Sequence, residues 1–263
     1  MRLTYKFINF CLLPLAIAPL FKKNVGDEYG VGFFAKFKLL FSIKKIIKNI
    51  HSATSWYEHI LMATEILKVP SALKGVIVEC GSYKGASTST LSLVCSLAGR
   101  KLIVFDSFEG LPEPESSDRV HNIPSLKKEN VYSKGDYSGS LEEVKGNIKK
   151  YGCLDVCEFV PGYFESTMPK FINRFNGKTV FTFLDVDLRK SLETCIFYLW
   201  PLLEKHCSLF THEAQQIEIS SFFFDKQWWL DHFNSSPPGL IGAGTGLGLH
   251  TLFHNQSGCA VKI

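Results

Sequence analysis

The chain of 263 residues has no Cys-x-x-Cys pair, no apolar run of bilayer length, and no Gly-x-Gly-x-x-Gly after its first predicted strand. Its charge is nearly balanced, at +4. Each absence removes a class of protein. Cys153 and Cys157 form a Cys-x-x-x-Cys with no second pair, which does not make a zinc site. The eight cysteines are scattered, and several sit in apolar runs such as Val76–Cys80, the pattern of buried reduced thiols in a cytoplasmic protein. A charge of +4 is too mild to mark a nucleic-acid binder. The apolar stretch 7–21 is short against the ~20 residues a spanning helix needs, and Pro14 and Pro19 interrupt it. Pro19 directly after Ala16-Ile17-Ala18 also argues against leader cleavage at that point. With 46% hydrophobic and 21% charged residues, disorder, collagen and a disulfide mini-protein are excluded.

What charge there is, is unevenly placed. Residues 1–50 hold nine Lys/Arg and two acids, Asp27 and Glu28, while the remainder holds 20 basic and 23 acidic residues. Residues 35–50 predict an amphipathic helix: Leu39, Leu40, Ile43, Ile46, Ile47 and Ile50 fall on one arc, and Lys38, Lys44, Lys45 and Lys48 on the other. Phe37 and Phe41 lie towards the lysines. Such a helix serves either as cover over the core or cofactor cleft, or as a peripheral attachment to an anionic membrane. The division expected is a helical extension over residues 1–70 and a main domain over 71–263.

From Val76 onward, short β-branched runs alternate with helical spacing five times. This predicts a doubly wound, mostly parallel α/β sheet with helices on both faces. In such sheets a ligand sits beyond the carboxyl ends of the strands. Polar groups collect there: Glu79 before Gly81, Asp106, Asp185, and the pair His212-Glu213. Residues 107–138 read as a long loop, and Leu247–Ile263 as a hairpin turning at Asn255-Gln256-Ser257-Gly258. The glycine-rich stretch Gly239–Gly248 lacks the Lys-Ser/Thr of a phosphate loop and reads as a loop before that hairpin. Trp228-Trp229 reads as core or subunit contact.

Gly81 permits a tight turn and close backbone approach, and an acid 25 residues later can accept ribose hydroxyls. A nucleoside site without a pyrophosphate cradle points to S-adenosylmethionine rather than a dinucleotide. These features, with the runs Asp106–Pro112, Val78–Ser87, Gly162–Pro169 and Leu184–Ser191, resemble class I S-adenosylmethionine-dependent methyltransferases, and more closely the macrocin O-methyltransferase (TylF/MycF-like) family. Asp106-Ser107-Phe108-Glu109-Gly110-Leu111-Pro112 matches that family's D-S-F-E-G-L-P in full. Val78-Glu79-Cys80-Gly81 with Gly85-Ala86-Ser87 matches its first motif. Gly162 to Pro169 matches G-x-F-x-x-T-x-P, and Leu184 to Ser191 partly matches L-D-x-D-L-Y-x-S.

The resemblance implies a seven-stranded methyltransferase sheet and O-methylation of a sugar hydroxyl. It implies Glu79, Gly81 and Ser82 along the methionine end of S-adenosylmethionine, Ser87 as a further cofactor-binding residue, Asp106 and Ser107 at the ribose, and Gly162 and Tyr163 at the adenine. Asp185 would be a metal ligand and the catalytic base. Two departures stand out. His212-Glu213 replaces the usual Asp-Asp pair, and Arg189 replaces Tyr. A divalent cation, Mg²⁺ or Mn²⁺, on Asp185, His212 and Glu213 is expected to assist, with imidazole nitrogen shifting preference away from Mg²⁺. His212 is alternatively the base itself. The competing expectation is a catalytically degenerate relative that binds a nucleoside or a partner, favoured if Arg189 fills the cation's place. The acceptor expected is a small, glycosylated or lipid-linked molecule, the location cytoplasmic and peripheral to a membrane. No nucleic-acid partner is expected, and a homo-oligomer is left open.

Overall fold

Three short apolar runs, Val76–Cys80, Leu102–Asp106 and Thr179–Leu184, bury almost every side chain, whichever face it points to. Strands buried on both faces belong to a covered parallel sheet. That is the architecture of the computed structural model, which describes residues 12–115, 118, 120–121, 129–130, 132–248 and 253–263. In chain order the elements are α1 (Phe33–Asn49), α2 (Trp56–Lys68), β1 (Val76–Cys80), α3 (Ala86–Ala98), β2 (Leu102–Asp106), β3 (Val120–His121), β4 (Glu129–Asn130), α4 (Leu141–Tyr151), β5 (Cys157–Pro161), α5 (Phe164–Ile172), β6 (Thr179–Leu184), α6 (Arg189–Leu199), β7 (Leu203–Thr211), α7 (Ile217–Ser220), α8 (Lys226–Phe233) and β8 (Gly258–Val261).

The main sheet runs β5-β2-β1-β6-β7-β8. All neighbours are parallel except β7 and β8. Chain order reverses direction between β1 and β6, and the crevice that this reversal opens lies at their carboxyl ends. The expected seventh strand is absent from this sheet among the described residues. Of the predicted hairpin, the described residues show the second limb as a strand, β8. The stretch before it carries positive φ at Gly239, Gly242, Gly244, Gly246 and Gly248, which no strand tolerates. Its one trace of pairing is an isolated bridge between Ile241 and Cys259. Residues 249–252 of the hairpin lie outside the described residues. Part of the 107–138 loop also does, but it contains a small antiparallel pair, β3 with β4.

The segment preceding β1 contributes to the core. Leu39, Leu40 and Ile43 of α1 and Ile60, Met62 and Ile66 of α2 join Ile77, Val104 and Phe181 in one buried cluster. Leu20, from the apolar stretch 7–21, is buried in the same cluster, and Ala16 packs on Tyr57 and Phe253. Residues 1–11 lie outside the described residues. Helix α2 starts on a reciprocal cap: Ser55 accepts from the amide of Glu58, and the Glu58 carboxylate accepts from the amide of Ser55. Trp229 is buried, donates to the carbonyl of Phe222 and packs edge-on against Trp200, while Trp228 stacks on His232.

If α1 is structural in this way, Ile43→Ala lowers unfolding free energy by about 2–4 kcal/mol. Urea titration measures it, and an unchanged midpoint would contradict the packing described.

Candidate active site

The crevice between β1 and β6 opens into a cleft lined by the turn after β1, the end of β2 and the end of β6. Its floor depends on one glycine. Gly81 has φ of +87°, and a Cβ there would stand 1.8 Å from the carbonyl oxygen of Asp185. The turn after β1 and the end of β6 are therefore in direct backbone contact. Left-handed backbone recurs around the cleft at Tyr83, Phe108, Asp187 and Glu213, none of them glycine, which is the strain pattern of functional sites.

On the β1–β2 side, the Asp106 carboxylate braces the turn. Its Oδ2 accepts from the Ser82 amide (2.5 Å), the Ser82 hydroxyl (3.0 Å) and the Tyr83 amide (3.2 Å), and its Oδ1 accepts from the Phe108 amide (2.7 Å). Burial pushes its pKa up against these donors. One lone-pair direction on Oδ1 remains for a ligand hydroxyl. The Ser107 hydroxyl donates to the Gly110 carbonyl and closes the next loop. Of the predicted cofactor residues, Gly81, Ser82, Ser87, Asp106, Ser107 and Tyr163 line the cleft. Glu79 and Gly162 stand behind its wall. Gly162 donates its amide to the Asp106 carbonyl, fixing β5 to β2. Glu79 is fully buried; the hydroxyls of Ser87 and Thr88 stand near its carboxyl and favour its charge, but no hydrogen bond of good geometry reaches either oxygen. Burial raises its pKa to about 8.

On the other side, β6 and β7 bring Asp185, His212 and Glu213 together, with one ligating atom of each within 4.8 Å of the others. The His212 ring is buried. Its Nδ1 faces Asp185 Oδ1 at 3.2 Å and contacts the Glu213 carboxylate. Its Nε2 faces Glu58 Oε1 at 3.4 Å. Burial pushes the imidazole pKa down, but Glu213, Asp185 and Glu58 outweigh it and hold it well above its usual value. The crowding also lifts the acids. Burial and the neighbouring carboxylates raise Glu213 to about 7 and Asp187 well above its ordinary range. Asp185 and Asp187 face the cleft, while His212 and Glu213 lie behind them.

A family model described as macrocin O-methyltransferase (TylF) matches residues 60–206. The chain belongs to the macrocin O-methyltransferase family. It is thus an S-adenosylmethionine-dependent O-methyltransferase. Two solved structures share the fold. The O-methyltransferase NovP is 16% identical over 86% of this chain and 78% of its own, with a TM-score of 0.56. The calicheamicin methyltransferase CalS11 is 14% identical over 86% of this chain and 92% of its own, also at 0.56. No curated protein sequence gives a match.

Both departures from the macrocin O-methyltransferase pattern have a structural account. Arg189 does not enter the carboxylate cluster. Its guanidinium pairs with Glu193 (2.6 Å) and Asp225 (3.4 Å), donates to the Glu218 carbonyl and lies over the Phe222 ring. His212 comes with a compensating carboxylate that sequence reading missed, Glu58. Besides facing His212, Glu58 Oε1 accepts from the Gln256 amide and the Ser257 hydroxyl. Burial alone would raise its pKa, but the His212 charge and the Ser55 and Gln256 amides bring it to about 2. The only sequence signal was a capping pattern, Ser55-x-x-Glu58, which accounts for one of its two oxygens.

Two predictions follow from these buried charges. Glu58→Ala leaves the imidazole without one counter-charge and removes an acceptor from β8's approach, so stability falls by about 3–5 kcal/mol, measured by urea titration. Glu79 acts through pH. Its native pKa of about 8 lies above the ordinary 4.5, so between those values the native state holds more protons and stability falls as pH rises. Glu79→Gln flattens that fall, worth on the order of 4 kcal/mol between about pH 5 and 9. Thermal melts across that range would show parallel curves if the reasoning fails.

Proposed function

We propose that the protein transfers the methyl group of S-adenosylmethionine to a hydroxyl of a sugar or a glycosylated small molecule, with a divalent cation on Asp185, His212 and Glu213. One observation carries this reading: the two halves of the site touch. The Gly81 turn and the Asp185 end of β6 are in backbone contact within a single cleft, so a cofactor on one side and an acceptor on the other would meet there. Asp185, Asp187 and Tyr137 together give the acceptor end a polar lining suited to a polyhydroxylated molecule.

The residues fit both groups. The carboxyl of Glu79, buried behind the cleft wall beside the Gly81 turn, is held in its neutral form by that burial, and it would serve as a counter-charge to the ammonium of a methionine moiety only on ionising as the cofactor binds. Asp106 has acceptor capacity left for a ribose hydroxyl, and Tyr163 would border the adenine. When bound, S-adenosylmethionine supplies an electrophilic methyl carbon on its sulfonium. Crowded carboxylates with raised pKa values, converging with an imidazole, are a donor set that a cation would relieve. Nitrogen among the donors favours Mn²⁺ relative to an all-oxygen site. A bound cation would lower the pKa of the acceptor hydroxyl.

The chain's own work is alignment and proton removal. Asp185 is the member of the cluster that reaches the cleft, and it takes the hydroxyl proton. With no cation bound, His212 keeps its proton among three carboxylates, so it holds Asp185 and is not the base; it would become a ligand only on giving that proton up. Cation binding at His212 would displace that proton, so cation affinity rises with pH. The seven described cysteines are free thiols, which suits a cytoplasmic setting.

Calorimetric titration with S-adenosylmethionine tests the reading: saturable binding is expected, and none at millimolar ligand overturns it. Release of S-adenosylhomocysteine against a panel of nucleotide sugars and glycosylated acceptors tests transfer. Asp185→Asn is expected to lower kcat at least 100-fold with cofactor affinity kept. Cofactor binding without transfer to any acceptor would instead mark a binding module.

A further inference from the structure

Helix α1 has two faces, and only one is used by the fold. At ~100° per residue, the inward arc carries Leu39, Leu40, Ile43 and Ile46, all buried. The outward arc carries Phe33, Phe34, Phe37 and Phe41 interleaved with Lys38, Lys44, Lys45 and Lys48. These phenylalanines are 62%, 85%, 43% and 58% exposed. They form a ladder: Phe33 meets Phe37 at 6.0 Å and Phe37 meets Phe41 at 4.8 Å between ring centres, and Phe21 joins Phe33 at 5.2 Å. Exposed large apolar groups in a contiguous row mark an interaction surface.

The charge carried by the helix itself has one sign, and the acids nearest it, Asp27 and Glu28, precede its N-terminus. Helix α1 contains no acid. The patch extends onto α4, because Lys45 of α1 and Lys150 of α4 both lie over the Tyr151 ring, at 5.8 and 5.0 Å.

We propose that the outward face of α1 is a docking surface for an anionic phospholipid bilayer. The rings enter the headgroup boundary, and the lysines reach phosphate with their ammonium groups while their stems follow the rings. Charge decides against a second copy of the chain. A two-fold contact sets the same patch against itself, and four lysines would face four lysines with no acid on either helix. It also decides against a typical protein interface, whose core is depleted of lysine. The described residues contain no helix long and apolar enough to cross a membrane, so the attachment is peripheral. Helix α1 ends at Asn49, and His51, Ser52, Ala53 and Thr54 line the cleft. The docking face and the cleft wall are thus joined by a single residue, Ile50. The surface does not depend on the reaction proposed above.

The test is co-sedimentation of the full chain at low ionic strength with vesicles of phosphatidylcholine carrying about one third phosphatidylglycerol, against phosphatidylcholine alone. Binding to the anionic vesicles and release by salt are expected. Each lysine at such a surface contributes about fivefold, so Lys38→Gln/Lys45→Gln/Lys48→Gln lowers partitioning roughly 100-fold. Phe34→Ser/Phe41→Ser lowers it at least tenfold. Both variants keep the parent melting temperature and cofactor affinity, because these side chains lie outside core and cleft. Retention of the parent in the supernatant with anionic vesicles overturns the proposal, as does binding that neither variant weakens. A shift from dimer to monomer in sedimentation velocity for the Phe variant, with no vesicle binding by the parent, makes the face an interface between copies and likewise overturns it.

Discussion

A buried imidazole among carboxylates from three separate parts of the chain is the constraint on which the site depends. His212 follows β7, Asp185 follows β6, and Glu58 comes from the first turn of α2. Charges so deeply buried are tolerated only when paired, and removal of one partner costs more than the pair contributes. The pairing ties the segment before β1 to the far half of the sheet. Glu58 also accepts from Gln256 and Ser257, so the approach to β8 is held by the same carboxylate. The second constraint is steric. The absence of a side chain at Gly81 lets the β1 turn meet the end of β6, and Asp106 braces that turn from β2 with three accepted hydrogen bonds. The turn after β1 and the end of β6 therefore share one floor of the cleft.

Within that frame the replacement of a carboxylate by histidine is accommodated locally. An all-carboxylate cluster would carry more negative charge. With His212 present, Glu58 supplies a counter-charge on the face away from the cleft, and Asp185 is left facing it. The Arg189 departure is separate in kind. Its guanidinium fastens α6 to the segment around Glu218 to Asp225 and leaves the chemistry alone.

Helix α1 shows how one short element serves two surfaces. Its isoleucines and leucines complete the core beneath α3, and its phenylalanines and lysines stand outward. Soluble helices rarely keep four exposed phenylalanines, because each forfeits the gain of burial, about 1.5–3 kcal/mol. The arrangement is coherent when the outward face has a partner that is apolar at depth and anionic at its surface.

The sequence alone determined what depends on local pattern. Strands β1, β2, β6 and β7 were legible from β-branched and aromatic runs ending on acids, and α1 from its periodicity. The seven-residue stretch Asp106–Pro112 carried the family, and Asp185, His212 and Glu213 were readable as candidates because strand ends in a parallel sheet converge. Helix α5 was not read, since Pro169 inside it masks the helical signal. A seventh strand was expected, and the described residues form six in the main sheet; the first limb of the expected hairpin falls partly outside them. Only the tertiary structure decided the rest. That Glu58 reaches His212 across 154 positions of sequence, that Glu79 is orphaned behind the wall, and that Arg189 turns outward are facts of packing. No spacing rule encodes them, because each depends on which elements the folded sheet brings face to face.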